Sequence, residues 1–376
     1  MELITIVGGG PAGLKTAIGL KEEGWECSVI EEHEEIGKPV NCGGLISRNG
    51  AKELKLDLNG VIVNEIKGAR IFSPNKTMLE ISRNETVAFV IDREKFDKKL
   101  YKEAVCKGVE VRKETSLIDV RSKTLFVQHQ QRGETIKTDF LIGADGASSR
   151  VRRVLGIAVH PNSFVKTYQV KARGRFEKEF VEMHFGNFAQ GFFAWVIPES
   201  STTARIGLGV QERLNPKESL SKFLEERNVQ VLEESSSIIP VGKPLKEPFK
   251  EKTFLVGDAA FQRKASTGGG IITGINAANA LSKTISRHLK HKKPLSDYSK
   301  ELSGLNKELE THYKIHSYLN SLGEKDINSL FEKLKKAKIE KFLSEHGDMD
   351  KPSRFIGKIL STPSLWSLAS LALKFR

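Results

Sequence analysis

The spacing of apolar residues at the start of the chain predicts a strand, a helix and a second strand. Residues 2–7 form a short apolar run, residues 11–23 carry apolar side chains at helical spacing, and residues 26–31 are again strand-like. This is the order of a parallel βαβ unit, in which a helix crosses over between two neighbouring strands. Residues 2–31 are therefore predicted to open an α/β domain.

Two further buried strands are predicted at residues 140–146 and 253–260, which read FLIGADG and TFLVGDAA. Each run contains an Asp next to a Gly near its end, and a helical pattern follows. Open α/β sheets bind ligands at the carboxyl ends of their strands. Asp145 and Asp258 are therefore expected at the edge of a binding site.

The stretches between these strands have a different pattern, in which apolar and polar residues alternate at 181–185 and 204–210. Such alternation predicts antiparallel strands with one buried face. We therefore predict an α/β fold, α+β overall, in which an antiparallel sheet is inserted into a discontinuous cofactor domain. The predicted boundaries are 1–59, 93–157 and 241–290 for the cofactor-binding domain, 60–92 and 158–240 for the substrate domain, and 291–376 for a helical C-terminal region.

The C-terminal region is predicted to be helical because its apolar residues form a stripe beside a lysine-rich face. The tail, residues 355–376, predicts an apolar helix flanked by Lys358, Lys374 and Arg376. We expect this helix to pack against its own protein, and peripheral binding at a membrane interface is the alternative. The stripe comprises Ile327, Leu330, Phe331, Leu334 and Phe342.

Composition narrows the partners and the compartment. The chain of 376 residues carries 60 Lys and Arg against 47 Asp and Glu, a net charge of +13 that favours anionic partners such as phosphates or lipid surfaces. The basic residues lack interleaved aromatics, so no nucleic-acid partner is expected. Three scattered cysteines predict neither a disulfide framework nor an iron–sulfur site. We therefore predict a cytoplasmic protein, without a signal peptide or a membrane span.

The run VGGGPAG at residues 7–13 places three glycines in GxGxxG spacing between the first strand and the first helix. Gly8 permits the tight turn, Gly10 lets the backbone approach a pyrophosphate, and Gly13 allows close helix packing. The helix N-terminus attracts the phosphate charge. Glu31, eighteen residues after Gly13, stands where an acidic side chain accepts the ribose hydroxyls. The alternative is a glycine turn that binds no ligand.

FAD is predicted rather than NAD, because two more acid-bearing strand ends accompany the glycine motif. Asp258 is a candidate ligand of the flavin ribitol or of the pyrophosphate. Gly268, Gly269 and Gly270 then open a helix whose N–H groups and dipole can stabilise negative charge at the N1 and C2 carbonyl edge of reduced flavin. The alternative for this glycine run is a loop that serves only packing.

Taken together, these motifs resemble the FAD-dependent fold shared by aromatic hydroxylases, flavin halogenases and geranylgeranyl reductases. The resemblance also rests on VIDREKFDKKL at 90–100 and DFLIGADGASSRVRRVLG at 139–156, and it extends to about residue 290. Two segments narrow it to the archaeal geranylgeranyl reductases. They are residues 34–47, with a Gly-x-Pro-x-x-Cys-Gly pattern, and residues 191–198, which read GFFAWVIP.

This chain departs from the archaeal reductases at four positions. Phe193 and Ile197 replace a Tyr and a Phe of the aromatic motif, Gly44 stands where Glu is frequent, and Ala265 stands where Pro is common. The form FxWxIP is also similar to the Trp-x-Trp-x-Ile-Pro motif of flavin halogenases, but those enzymes are longer. The segment that contains Cys42 favours the reductase.

The resemblance implies an FAD-dependent reductase that saturates geranylgeranyl double bonds of archaeal ether-lipid precursors by hydride transfer from reduced flavin. It implies a polyprenyl substrate with an anionic head group, an elongated apolar cavity that reaches the flavin, and an electron donor that is either ferredoxin or a reduced nicotinamide. A flavin-dependent monooxygenase or halogenase of the same fold and a flavin-binding electron carrier are the alternatives.

The resemblance also implies two groups of site residues. Cys42 is a candidate for a role beside the flavin, and Phe193 and Trp195 are candidates for the wall of a lipid tunnel. No metal site is predicted. The side chains of His160, Tyr168 and His184 can donate a proton, but only their residue type, and no pattern around them, suggests such a role. The predicted cofactor-binding residues are Gly8, Gly10, Pro11, Ala12, Gly13, Glu31, Glu32, Cys42, Gly43, Arg93, Asp145, Gly146, Asp258, Gly268, Gly269, Gly270 and Ile271.

Overall fold

The computed structural model describes residues 2–211 and 213–375. Its first elements are strand β1 (Ile4–Val7), helix α1 (Pro11–Glu22) and strand β2 (Ser28–Ile30). Strands β1 and β2 pair in parallel, with Val7 opposite Ile30. The predicted βαβ unit is therefore confirmed. Pro11 suits the first position of α1, because its missing N–H would have no partner within the helix at that position.

Four more strands extend this unit into the central sheet, namely β8 (Glu110–Arg112), β12 (Phe140–Gly143), β18 (Phe249–Lys250) and β19 (Thr253–Leu255). The strand order is β18-β19-β12-β1-β2-β8, and β18 alone among these described strands runs antiparallel to its neighbour. Val7, Gly143 and Leu255 lie in register. The carboxyl ends of the three predicted strands therefore meet at one edge of the sheet.

The two faces of the central sheet are covered differently. Ile6 and Ile142 pack in a core with α1, α3 (Arg93–Cys106) and α6 (Ile271–His291). Val7 and Leu141 point the other way, as successive residues of a strand must, and contact a three-stranded antiparallel sheet. Its strands are β9 (Thr115–Arg121), β10 (Thr124–His129) and β11 (Arg132–Lys137), to which the sequence pattern assigned no element.

The second large sheet has the order β17-β13-β16-β15-β14-β5-β6. Its pairings are antiparallel, as predicted, except that β14 runs parallel to β5 with Met183 opposite Ile71. A long connection through the cofactor segment separates these two strands, and only such a connection permits parallel pairing. The strands are β5 (Gly68–Phe72), β6 (Met78–Ser82), β13 (Phe164–Arg173), β14 (Phe180–His184), β15 (Ala194–Pro198), β16 (Thr203–Val210) and β17 (Gln230–Pro240).

A small antiparallel sheet joins the first cofactor segment to the first inserted segment. Strand β3 (Leu45–Ser47) pairs with β7 (Ala88–Ile91), which also pairs with β4 (Ile62–Ile66). Three helices complete this part of the chain, namely α2 (Arg48–Glu53), α4 (Arg150–Val154) and α5 (Pro216–Glu225). Helix α5 covers one face of the large sheet through Leu220 and Phe223.

The C-terminal region is helical, as predicted. Ile327, Phe331 and Phe342 of the apolar stripe are buried together with Ile356 and Leu365, because the helices pack their apolar faces against one another. The helices are α7 (Asp297–Glu301), α8 (Ser303–Ser321), α9 (Glu324–Lys336), α10 (Ile339–His346), α11 (Pro352–Ser361) and α12 (Ala369–Phe375).

The tail is not one helix, contrary to the pattern. Thr362 is extended, which the following Pro363 favours, and it separates α11 from a short 3₁₀ segment, Pro363–Leu368, and from α12. Leu365, Leu368 and Ala372 are buried, so this part of the tail packs against its own protein. Trp366 is 63% exposed and Leu373 is 60% exposed. None of the helices within residues 2–211 and 213–375 is long and apolar enough to cross a membrane.

Candidate functional site

The glycine turn after β1 leaves an open space at the start of α1. Gly8 has a φ of +111°, and a Cβ there would overlap the Ala144 carbonyl. A Cβ on Gly13 would overlap the carbonyl of Gly8, whereas a Cβ on Gly10 would meet nothing within 4 Å. No side chain caps this helix. Its N-terminal N–H groups therefore face a space suited to a pyrophosphate.

Glu31 lies beside this turn, at the carboxyl end of β2. Its carboxylate accepts hydrogen bonds from the Gly9 N–H at 2.6 Å and the His33 N–H at 3.0 Å. Glu31 therefore lies against the glycine turn, and its contact with a ribose stays a prediction. Glu32 is exposed.

The two strand-end aspartates are hydrogen-bonded within the protein. Asp145 accepts hydrogen bonds from the Ser149 hydroxyl at 2.6 Å and the Arg150 N–H at 2.7 Å, so its carboxylate holds the start of α4. Asp258 forms a two-point ion pair with Arg263, at 2.9 and 2.6 Å. Their direct contact with a cofactor stays a prediction. The sequence interpretation missed Arg263, which lies in the same loop as Asp258.

The third motif forms a tight turn before α6. The Lys264 carbonyl accepts hydrogen bonds from the N–H groups of Thr267 and Gly268, and Gly268 has a φ of +71°. Helix α6 begins after Gly270 without a side-chain cap. The Thr267 hydroxyl is buried without a hydrogen-bond partner in the part of the chain that the structure describes. This turn therefore offers unpaired donors to the polar edge of a flavin ring.

The Cys42 thiol accepts a hydrogen bond from the Gly44 N–H at 3.4 Å. Burial raises the pKa of this thiol, but Arg93, the Gly44 N–H and Arg263 together lower that pKa by more, so it lies below the ordinary value. Arg93 is held by Asp97 through bonds of 3.2 and 2.8 Å. A thiol with a lowered pKa releases its proton more readily than an ordinary cysteine.

Trp195 and Gln169 lie close to the segment that contains Cys42. The Trp195 indole donates a hydrogen bond to Gln169 Oε1 at 3.2 Å, and that oxygen would lie 3.7 Å from a Cβ on Gly43. Gln169 Nε2 is buried, and it has no partner among the described residues. Phe193 packs edge-on against Trp195, with ring centroids 6.2 Å apart. Gln169 was not a sequence candidate, because a single polar residue in an alternating strand carries no distinctive pattern.

A cavity of about 770 Å³ is lined both by these groups and by the C-terminal helices. Its lining is mostly apolar. Residues 42–44 and 268–270 line it, as do Phe193 and Trp195. Further lining residues, contributed by the C-terminal helices, are Phe331, Leu334, Ile356, Leu368, Ala372 and Phe375. Residues 268–270, which are predicted to meet the flavin edge, are called the flavin loop below. The predicted tunnel residues, Cys42 and the flavin loop share one apolar cavity.

A buried polar cluster lies on the cavity wall next to the flavin loop. The Lys264 ammonium donates to Asp350 at 2.6 Å, and Asp350 also accepts from the Ser47 hydroxyl. His312 Nδ1 lies 2.6 Å from the Ser266 hydroxyl. Burial and the Lys264 charge lower the pKa of His312 to about 3, so this imidazole is neutral at neutral pH. The sequence interpretation missed the cluster, since its members are separated by up to 303 residues along the chain.

The other polar candidates lie outside the cavity. His184 bonds to Glu182 at 2.8 Å and stacks on Phe72, and burial lowers its pKa. Tyr168 bonds to Glu234. His160 lines a second, smaller cavity of about 430 Å³. Within the described ranges, no group of His, Cys, Asp and Glu is arranged to hold a metal ion.

Comparison with known protein families gives a match over most of the chain. The matching family is the FAD binding domain, over residues 2–311. An uncharacterized protein of Methanocaldococcus jannaschii is 29% identical over 374 residues, which are 96% of this chain and 95% of that one. The digeranylgeranylglycerophospholipid reductase of Methanocella arvoryzae is 30% identical over 352 residues, 86% of this chain and 89% of that protein.

Solved structures show the same fold. A geranylgeranyl bacteriochlorophyll reductase-like protein from Thermoplasma acidophilum superimposes with a TM-score of 0.85 at 23% identity, covering 99% of this chain and 100% of the other. A flavin-dependent brominase superimposes with a TM-score of 0.71 at 15% identity, covering 95% and 98%. At these identities the likeness extends to the fold alone.

Proposed function

We propose that this chain saturates isoprenoid double bonds of ether-lipid precursors. The reason is that it belongs to the FAD binding domain family and to the family of the archaeal digeranylgeranylglycerophospholipid reductases. The chain is an FAD-dependent oxidoreductase. The open glycine turn at α1 and the unpaired Thr267 hydroxyl at α6 fit the two ends of FAD. When bound, FAD supplies the hydride.

The observation that carries the proposal is the apolar cavity that reaches residues 42–44 and 268–270. A methylene group occupies about as much volume as a water molecule in the liquid, roughly 30 Å³, so a chain of twenty carbons needs about 600 Å³. The cavity of about 770 Å³ is large enough for one such chain. Burial of each methylene is worth about 0.8 kcal/mol, so the cavity walls supply the binding energy. An electron carrier would have no use for such a cavity.

The residues of this chain would bind FAD, orient the isoprenoid chain and donate a proton to it. Gly10 and the start of α1 hold the pyrophosphate, Glu31 accepts the ribose hydroxyls, and the turn before α6 holds the flavin edge. The walls formed by Phe193 and Trp195 exclude water and align the chain. Cys42 Sγ bears the proton that the second alkene carbon requires, and Arg93 lowers its pKa toward the working range of a general acid.

The anionic head group would lie at the cavity mouth on α2. Among the lining residues, Arg48, Asn49, Lys52 and Glu85 are exposed together. Arg48 forms an ion pair with Glu85 at 3.0 Å, and Lys52 adds a positive charge that suits a phosphate that stays in water while the chain enters the apolar interior. The electron donor, ferredoxin or a reduced nicotinamide, is identified by assay with each.

Peripheral membrane contact is proposed through the tail. Trp366 and Leu373 are exposed apolar side chains, Lys374 follows Leu373 on α12, and Lys358 lies on the preceding helix α11. Such a surface binds anionic bilayers through aromatic insertion and charge attraction. The protein should sediment with phosphatidylglycerol vesicles, whereas the double variant W366S/L373S should stay in the supernatant. Equal sedimentation of the two proteins would refute the contact.

The proposal is tested with purified, FAD-loaded protein reduced by dithionite. A lipid with geranylgeranyl chains should gain two mass units for each double bond reduced. Intact alkenes together with oxygen-dependent hydroxylation or halogenation of an aromatic compound would contradict the reductase and favour the alternative chemistry of this fold. The same incubation without dithionite is the control.

A further inference from the structure

Lys264 is a buried cation in the turn that precedes the flavin loop. The residue is 4% exposed. Its ammonium lies 2.6 Å from Asp350 Oδ1 and 3.3 Å from the Met349 carbonyl. Asp350 lies between α10 and α11, so the pair joins the cofactor segment to the C-terminal region. The two side chains are 5% and 10% exposed, which makes this pair much less accessible than a surface salt bridge.

An ion pair at this depth needs an explanation other than stability. Removing both charges from water offsets most of their mutual attraction, so a buried pair is weak support for a stabilising role. Asp350 is kept charged, because burial raises the pKa of its carboxyl but Lys264 and the Ser47 hydroxyl lower it by more. Asp350 therefore stays ionised at neutral pH, and the pair lies where water screens charge poorly.

The ammonium lies directly against the flavin loop. A Cβ on Gly269 would come within 3.1 Å of Lys264 Nζ and 3.6 Å of the Thr267 hydroxyl. On the other side of the loop, Arg263 is neutralised by Asp258 within the same segment, and it donates to the Gly268 carbonyl at 3.0 Å. His312, also near the pair, is neutral. The balance of charge at this loop therefore depends on Lys264 and its counter-ion.

We propose that the Lys264–Asp350 pair sets the reduction potential of the bound FAD. Lys264 stabilises the negative charge that the reduced flavin gains at its N1 and C2 carbonyl edge, and Asp350 opposes that stabilisation. Charges near N1 tune a flavin in this way, and they act strongly in a site of low dielectric constant. The inference rests on FAD binding and on a flavin edge at residues 268–270, and it goes beyond the proposed alkene reduction.

The test is a redox titration of the FAD-loaded protein against a reference dye, without lipid. K264M should lower the ratio of reduced to oxidised flavin at least tenfold at a given potential, which is about 30 mV for a two-electron couple. D350N, which removes the negative charge at nearly the same side-chain size, should raise that ratio at least tenfold. K264R keeps the charge and should change the ratio less than threefold.

A matched control lies one residue along the chain from Asp350. Lys351 is 29% exposed and forms an ion pair of 2.6 Å with Glu53, which is 54% exposed, so K351M removes a cation from the same loop where water screens charge better than at Lys264. K351M should change the ratio less than threefold. The double variant K264M/D350N should return toward the potential of the unmodified protein.

Opposite shifts in K264M and D350N are the decisive result, because general loosening of the site would move both in one direction. Shifts of the same sign, or no tenfold change in either variant with FAD fully bound, would overturn the inference. If K264M fails to bind FAD, D350N decides by its upward shift or the lack of one. If the variants leave the flavin potential unchanged while the protein reduces alkenes, this inference is wrong and the proposed function stands. If the variants shift the potential while the protein leaves alkenes intact, the proposed function is wrong and this inference stands.

Discussion

Filling the C-terminal end of the cavity should change the length of isoprenoid chain that the protein accepts. Ala372 is buried on α12 and lines the cavity. Ala372→Phe adds a six-carbon ring at this end of the cavity. A chain of twenty carbons that extends from residues 268–270 to α12 would meet this ring, whereas a chain of fifteen carbons ends one isoprene unit earlier. The longer chain should therefore lose binding while the shorter one does not.

The size of the loss follows from the apolar surface that is displaced. Complete expulsion of the last isoprene unit would forfeit burial of five carbons, about 4 kcal/mol at 0.8 kcal/mol per methylene. Partial displacement should still lower kcat/KM at least tenfold, which corresponds to about 1.4 kcal/mol. The assay compares dithionite-driven reduction of geranylgeranyl and farnesyl diphosphates by the FAD-loaded protein.

The neighbouring variant L373F is the matched control, because Leu373 is 60% exposed on the same helix. It should leave both substrates unaffected. Equal losses for the two chain lengths in A372F would show that the substitution disturbs the site generally. Unchanged use of the longer chain would refute the assignment of this cavity to the isoprenoid chain.

Three further outcomes are expected. Cys42→Ser should retain FAD but lower alkene reduction about 100-fold, the usual contribution of a general acid, and a loss below threefold would contradict the proton role. Since Arg93 lowers the pKa of the Cys42 thiol, activity should decline with rising pH before the ordinary thiol pKa of about 8.5 is reached. Gly13→Ala should abolish FAD binding, because its Cβ would overlap the Gly8 carbonyl, whereas Gly133→Ala, whose Cβ meets nothing within 4 Å, should bind FAD normally in a fluorescence titration. Burial lowers the pKa of His312 to about 3 in the folded protein, whereas a histidine of the unfolded chain has a pKa of about 6.5. The imidazole is therefore protonated first in the unfolded chain, and the protein loses stability as the pH falls below about 6.5. Between pH 7 and pH 5, the free energy of unfolding measured in urea should fall by about 2 kcal/mol less in H312Q than in the unmodified protein. Equal falls in the two proteins would refute this prediction.

Local patterns predicted the cofactor half of the site well. The βαβ unit and the two later strands were confirmed, because buried parallel strands are continuous apolar runs that are readable from a few residues. The FAD assignment was confirmed by the family match. Individual contacts of Glu31, Asp145 and Asp258 with the cofactor stay predictions, and the two aspartates form hydrogen bonds that the motifs did not indicate.

The cavity side of the site was only partly predictable. Trp195 and Phe193 came from a motif, and they do line the cavity. Gln169 and His312 did not, since one polar residue in a strand or a helix has no local signature. The parallel pairing of β14 with β5 was also missed, because the alternation of apolar residues specifies a buried face but not the partner strand or its direction.

Glycine spacing and strand-end chemistry act over a few residues, so local patterns were enough to predict the class of cofactor, whereas the positions of its phosphates stay a prediction. The tertiary structure alone decided that Lys264 meets Asp350, that Cys42 lies beside Arg93, and that the C-terminal helices close an apolar cavity over the flavin loop. These contacts join residues up to 86 positions apart in the case of the ion pair. Charge balance and cavity volume are properties of groups brought together by packing, and no local pattern along the chain encodes them.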